Sequence, residues 1–185
     1  MTKREFQARL KNACAAVTAA ETELTEIDSK FGDADHGLTM AKIAGAISAA
    51  VDGAEGGIQS MLDDAATAVM ALNGGSAVPL WNTWLDGMQE EAPEGDEIDV
   101  AGIKAIFARA FTELDDMSGA KVGDKTMMDA LIPASQAIAA YPGSDENELF
   151  TAAAQAAVQG AEATRQFVSK FGRARSYKEQ TIGTP

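Results

Sequence analysis

Asp28, Asp33, Asp35 and His36 place three carboxylates and the only histidine of a 185-residue chain within nine positions. Gly32 and Gly37 flank the densest part of that run. In an extended loop, side chains two apart point to the same side, so Asp33 and Asp35 can share one ligand while the glycines let the backbone turn around it. Oxygen donors suit a hard cation, Mg²⁺ or Ca²⁺, and one histidine with a remote Cys14 cannot build a zinc centre. A calcium EF-hand is excluded, because a loop counted from Asp33 puts Gly37 and Ala44 where that ring requires acids. Asp28 closes an amphipathic stretch, so its charge meets the negative end of a helix dipole unless a cation compensates it. The competing reading makes Asp35 an N-cap, Asp33 a turn former and His36 a solvated first-turn residue.

The elements that position these residues read as helices. Phe6, Leu10, Cys14, Val17, Leu24 and Ile27 predict one long helix over residues 2–28. Further stripes run through Met40, Ile43, Ile47 and Val51, then Ile58 to Leu72, then Leu80 to Met88 with Pro79 in the first turn, then Val100 to Leu114. A sixth helix is expected from Lys125 or Thr126 through Ile138, opened by a Thr126/Asp129 capping box, and a seventh from Asp145 to Lys170. No stretch alternates with period two, so the chain is all-α, a single domain over 1–185. If the helices run up and down, one end of the bundle gathers the acidic loop with Asn73-Gly74-Gly75-Ser76, Gly123-Asp124-Lys125-Thr126 and Gly172-Arg173-Ala174-Arg175. Three of those loops open a helix, and helix N-termini with free N–H groups bind anions. Phosphate held with Mg²⁺ fits that end. A P-loop and a Gly-x-Gly-x-x-Gly turn are both absent.

Composition narrows the partners. With 28 acidic against 15 basic residues the net charge is −13, which opposes binding to nucleic acid or an anionic membrane surface. There is no signal-peptide pattern and no apolar run of about 18 residues, so a reducing cytoplasmic setting is expected, with Cys14 a core residue. Trp81 and Trp84, three apart, read as core or partner-facing.

The order Asp28, Gly32-Asp33-Ala34-Asp35-His36-Gly37, then Gly74-Gly75 ahead of Pro79-Leu80, then Gly123-Asp124-Lys125-Thr126-Met127-Met128-Asp129-Ala130-Leu131 resembles the nucleotide-binding L subunit or domain of dihydroxyacetone kinases. The resemblance implies an antiparallel helical barrel of seven to eight helices with a nucleotide site at one end. It implies that Asp28, Asp33 and Asp35 hold two Mg²⁺ ions carrying the phosphates of ADP or ATP. Nucleotide contacts would fall on His36, Gly37, Thr39, Gly74, Gly75, Ser76, Ala77, Gly123, Lys125, Thr126, Met127 and Arg173. The acceptor, a short-chain ketose, would sit on a partner K subunit, and in one branch of the family an M subunit recharges the bound ADP. The implied activity is that of a phosphotransferase subunit, active only with its partner; the alternative is a non-catalytic Mg-nucleotide-binding regulatory or interaction module.

Ala77, Val78, Trp81 and Asn82 depart from the family's second motif, which has glycines where Val78 and Asn82 stand here. Val78→Gly is therefore expected to leave nucleotide affinity equal or higher. The segment from Arg173-Ala174 to Ile182-Gly183 is similar to a family segment that precedes a last helix, and no such helix lies within 185 residues. Either the chain is cut or the barrel has seven helices, and an open barrel would expose the apolar stripes of the first and last helices.

Overall fold

The computed structural model describes residues 1–185. It contains eight α-helices: α1 (Lys3–Ala19), α2 (Glu21–Asp28), α3 (His36–Gly53), α4 (Ile58–Met70), α5 (Ala77–Glu90), α6 (Val100–Ser118), α7 (Met128–Ala140) and α8 (Glu146–Ala163). Two 3₁₀ segments follow, Thr164–Gln166 and Arg173–Thr181. An isolated bridge between Thr2 and Glu97 is the only β pairing. From α3 onward each helix packs on the next in sequence, and α1 and α2 both lie on α3. Short connections between neighbours favour this up-and-down arrangement. No helix is long and apolar enough to cross a membrane.

Local sequence explains most of the boundaries. Thr2 and Glu5 form a reciprocal capping box at α1. Asp99 and Asp145 cap α6 and α8 through their carboxylates, and Gly119 ends α6 in the left-handed conformation. The expected helix over 2–28 is broken at Ala20. Val17 and Leu24 are seven apart, two full turns, so the apolar phase survives the break and periodicity cannot report it. The helix expected from Asp145 to Lys170, α8 in the structure, ends at Ala163: Thr164 turns its hydroxyl to the Ala161 carbonyl at 2.6 Å and the chain tightens into a 3₁₀ turn. Regular helix in α7 starts at Met128, later than expected. Thr126 and Asp129 still bond in both directions, but the threonine hydroxyl accepts from Met128 at 3.2 Å instead of from Asp129.

The core joins all the long helices. Ile43, Ile58, Leu62, Ile103, Leu114 and Leu149 are among its fully buried side chains. Trp84, Phe107 and Phe150 meet edge to face at 5.9 and 6.0 Å, linking α5, α6 and α8, and the Arg9 guanidinium lies 5.3 Å from the Phe150 ring. Burial raises the Cys14 thiol above its ordinary pKa, which leaves it protonated and inert. The expected exposure of the first and last apolar stripes is not found: Phe6 and Cys14 on α1 and Leu149 and Ala153 on α8 are buried, and Val158, 63% exposed, is the one large apolar side chain of α8 left on the surface.

Val78 is likewise buried, and Asn82 donates to the Ala66 carbonyl of α4 at 3.0 Å. Both residues therefore serve α5 packing, and Val78→Gly would empty part of the core rather than probe a ligand contact. Two glycines permit a close approach of helices. A Cβ on Gly87 would lie 2.7 Å from the Cα of Ala110, and one on Gly160 would lie 2.0 Å from the carbonyl oxygen of Asp129. That carbonyl lacks its helical donor because Pro133, four residues on, has no N–H.

Gly160→Ala should therefore destabilise the fold by about 1–3 kcal/mol, since α8 must move off α7. Gly45→Ala, at an open position inside α3, should stabilise it by about 0.5–1 kcal/mol. Urea unfolding of the two variants should shift the midpoint in opposite directions.

Candidate metal and nucleotide site

The structure brings Asp28, Asp33 and Asp35 together: one carboxylate oxygen from each lies within 4.8 Å of the others. Asp28 anchors the group. Its Oδ2 accepts from the backbone N–H groups of Asp35 at 3.1 Å and His36 at 3.4 Å, so the carboxylate sits on the N-terminus of α3. The dipole penalty inferred for Asp28 is thus met within the chain, by the positive end of the next helix. Asp35 does not cap α3 with its side chain, which leaves that carboxylate available. The chemistry of the set, three oxygen donors on a folded-back loop, fits a hard divalent cation.

The glycines of this loop serve close approach, not turning, as neither has positive φ. A Cβ on Gly32 would lie 1.9 Å from Asp28 Oδ1, and one on Gly37 would lie 2.0 Å from the Glu21 carbonyl. Gly37 is buried there, between α3 and α2. The tight turn falls instead on Ala34, at φ 60° between the two aspartates. Lys125 at φ 60° and Lys178 at φ 50° are the other two non-glycine residues in the left-handed region. All three lie at this end of the barrel, and such strain gathers at functional sites.

The four chemically loaded segments do converge. Arg173 Nη2 lies 2.7 Å from Asp33 Oδ2, joining the C-terminal segment to the acidic loop, and the Tyr177 ring packs tilted against Phe31 with centroids 5.2 Å apart. Lys170 bonds Asp124 at 2.7 Å, joining the same segment to the third loop. A Cβ on Gly74 would lie 3.4 Å from Thr39 Cγ2, so the second loop abuts the first turn of α3. His36 is exposed beside that turn.

The three helix N-termini are not equally free. Asp28 occupies that of α3. Asp129, 1% exposed, organises the one at α7, its two oxygens accepting from Gly123 at 2.6 Å and Thr126 at 2.8 Å. Only at α5 do the amides of Gly74, Gly75, Ser76 and Ala77 lack a partner in the chain, and Ser76 offers no side-chain cap. Four consecutive free N–H groups ahead of a helix make a ready anion cradle. Lys125, expected at a phosphate, instead points its ammonium at the carbonyls of Thr164 and Thr184, and burial lowers its pKa. Met127 is half-buried against the core.

The surface around this end is unusual for an acidic protein. Of eight large exposed apolar side chains, only Val158 lies elsewhere; Leu38, Met70, Met117, Val122, Phe171, Tyr177 and Ile182 are on the loops and helix ends just described. An open depression at the opposite end is lined by five carboxylates, of which Glu5, Asp99 and Glu146 are engaged in bonds to Thr2, Gly102 and the Met1 ammonium while Glu91 and Glu97 are not. Sequence reading missed Asp129 as the organiser of a loop, and it missed Tyr177, Lys170 and the buried Thr181. The motif spacing held a signal for the first alone.

Comparison with known proteins places the chain among one family. The DAK2 domain profile matches residues 30–185. The chain is 36% identical to D-erythrulose kinase of Mycolicibacterium smegmatis over 92% of its own length, and 35% identical to L-erythrulose kinase of Pectobacterium atrosepticum over 96%. It spans only 30% and 31% of those two proteins. The ADP-binding subunit DhaL of the PEP-dependent dihydroxyacetone kinase of Escherichia coli is 27% identical, with 92% of this chain and 83% of that one covered. In three dimensions the chain superposes on dihydroxyacetone kinase of C. freundii, solved with AMP-PNP and Mg²⁺, with a TM-score of 0.67 at 23% identity, over 96% of this chain and 31% of that one. That likeness establishes the helical barrel fold.

Gly32→Ala should displace the Asp28 carboxylate, abolish Mn²⁺ binding measured by electron paramagnetic resonance, and lower stability by about 0.5–2 kcal/mol as α3 loses its cap. Gly75→Ala, where a Cβ meets nothing, should keep Mn²⁺ binding. A second expectation concerns acid. The Lys170 ammonium and the Lys121 amide hold the Asp124 carboxyl below the usual carboxylate range. A carboxyl whose folded pKa is depressed stabilises the fold above its unfolded value, near 4, and loses that contribution as pH falls through the folded value. Lys170→Ala should raise the Asp124 pKa in a carbon-13 titration and narrow the acid side of the stability profile.

Proposed function

This chain belongs to the DAK2 domain family, and on that premise we propose that it is the Mg-nucleotide-binding unit of a dihydroxyacetone-type kinase. It would present a nucleotide to a short-chain ketose held on a partner K subunit or domain. The observation that carries the reading is the clustering of Asp28, Asp33 and Asp35 at the same end of the barrel as four unpartnered amides at Gly74–Ala77. The three carboxylates would hold Mg²⁺, two ions by the family resemblance, which neutralises phosphate charge. Asp28, fixed by α3, sets the position of the group, and the amides of Gly74 to Ala77 donate to phosphate oxygens. ADP and ATP both suit such a cradle, because it addresses phosphates rather than the base.

Phosphoryl transfer also needs an acceptor oxygen in line with the transferring group. The only histidine, His36, is on the exposed rim, and the depressions around Glu146 and around Cys14 both lie away from the carboxylates. A partner bringing the ketose accounts for this, and the apolar side chains around the rim give it a surface to cover while excluding water. The curated relatives named as erythrulose kinases are about three times as long as this chain, which supports assigning the acceptor site to another domain or subunit. Coupling to an M subunit is supported by the relative named as a PEP-dependent ADP-binding subunit; direct use of ATP is the second reading, implied by the other branch of the family resemblance. A regulatory Mg-nucleotide module would share the cradle but transfer nothing.

Two measurements test the proposal. Asp33→Asn and Asp35→Asn should each lose the thermal stabilisation that Mg-ADP confers on the parent, with unchanged helicity. Retained stabilisation in either variant would count against the metal assignment. The chain alone, given Mg-ATP with dihydroxyacetone or a four-carbon ketose, should form no sugar phosphate; robust turnover without a second protein would overturn the two-component reading.

A further inference from the structure

Residues 170–181 form a compact loop whose two ends are tied together. The Ser169 amide donates to Thr181 Oγ1 at 3.0 Å, Thr181 is fully buried, Lys170 pairs with Asp124, and the Gly183 amide donates to the Arg165 carbonyl at 2.7 Å. Between these ties every residue from Phe171 to Gln180 is exposed except half-buried Ala174. Left-handed backbone marks both flanks, at Gly172 (φ 61°) and Lys178 (φ 50°). Segments with so little buried surface and a firm base open at low cost. What rests on the acidic loop is one ion pair, Arg173 to Asp33, and one aromatic pair, Tyr177 on Phe31.

Arg173 is 70% exposed, so its pairing with Asp33 is weak. It nonetheless engages an oxygen of a carboxylate that belongs to the three-aspartate group. A divalent cation and the guanidinium draw on the same charge. We propose that Arg173 is a built-in counter-ion of the acidic loop, exchanged when a divalent cation enters, so that cation binding unlatches the 170–181 loop. The inference rests on the metal reading given above and adds regulation to it. Before the cation arrives, the guanidinium offsets repulsion among three neighbouring carboxylates. After it arrives, the same guanidinium is free for an anion accompanying the metal. The loop remains hinged at Ser169 and Thr181 throughout, so Arg173 moves without the barrel changing.

The experiment uses the full chain with MgCl₂ and no nucleotide. Calorimetry should show Arg173→Gln binding Mg²⁺ about two- to fivefold more tightly than the parent, the worth of an exposed ion pair. Arg175→Gln removes the same charge from the same loop but has no ion-pair partner in the structure, and it should change affinity less. Hydrogen exchange read by mass spectrometry should quicken over residues 171–180 when Mg²⁺ is added to the parent. It should already be fast in metal-free Asp33→Asn and Arg173→Gln. Equal effects of the two arginine substitutions, or a parent loop whose exchange ignores Mg²⁺ that calorimetry shows to be bound, would overturn the proposal. Failure of the parent to bind Mg²⁺ would overturn the metal reading itself. In that case fast exchange in metal-free Asp33→Asn would still demonstrate the tether, and unchanged exchange would remove it too.

Discussion

The candidate site depends on one carboxylate that reaches across a turn. Asp28 ends α2, yet its Oδ2 accepts the amides that begin α3. Those contacts fold residues 29–35 back on themselves and bring Asp33 and Asp35 to the same place. Because the contact uses one oxygen and the positive end of a helix, it orients the group while leaving acceptor capacity for a ligand. Gly32 is the steric condition for it, since any side chain there would collide with Asp28.

The third loop uses the same device with a different outcome. Asp129 also reaches back to two amides, those of Gly123 and Thr126, but it is fully enclosed and both oxygens are spent. A buried carboxylate with each oxygen held by a backbone amide is a fastener rather than a ligand. The left-handed Lys125 between those amides then carries its ammonium toward the Thr164 and Thr184 carbonyls, so the residue that looks most like a phosphate ligand joins α7 to the C-terminal segment. The second loop has no carboxylate of its own, and its amides stay unpartnered for that reason.

The barrel contributes rigidity and convergence. Close helix contacts at Gly87 and Gly160 and the Trp84, Phe107 and Phe150 series lock α5 to α8, while Gly37 seats α2 on α3. The loops are thereby held at fixed separations, as a preorganised site requires. The non-glycine residues with positive φ fall at one end, and so do seven of the eight large exposed apolar side chains. Their coincidence is what one expects of a site completed by a second protein surface.

Helical class, the number of long apolar stripes and the acidic group were legible in the sequence, because 3.6-residue periodicity and the spacing of Asp28, Asp33 and Asp35 are local properties. The caps at Thr2, Asp99 and Asp145 are equally local, and the Thr126/Asp129 pair was recognisable even though its bonding differs in detail. The break at Ala20 was invisible, since the stripe keeps its phase from Val17 to Leu24. Other features were decided only by tertiary structure: which helix N-termini remain free, that Gly32 and Gly37 serve contact rather than turning, that Val78 faces the core, and that Arg173 meets Asp33. Each depends on where a second segment, distant in sequence or across a turn, directs a carboxylate, a backbone or a cation. No pattern within one segment encodes that direction; the packing of the barrel does.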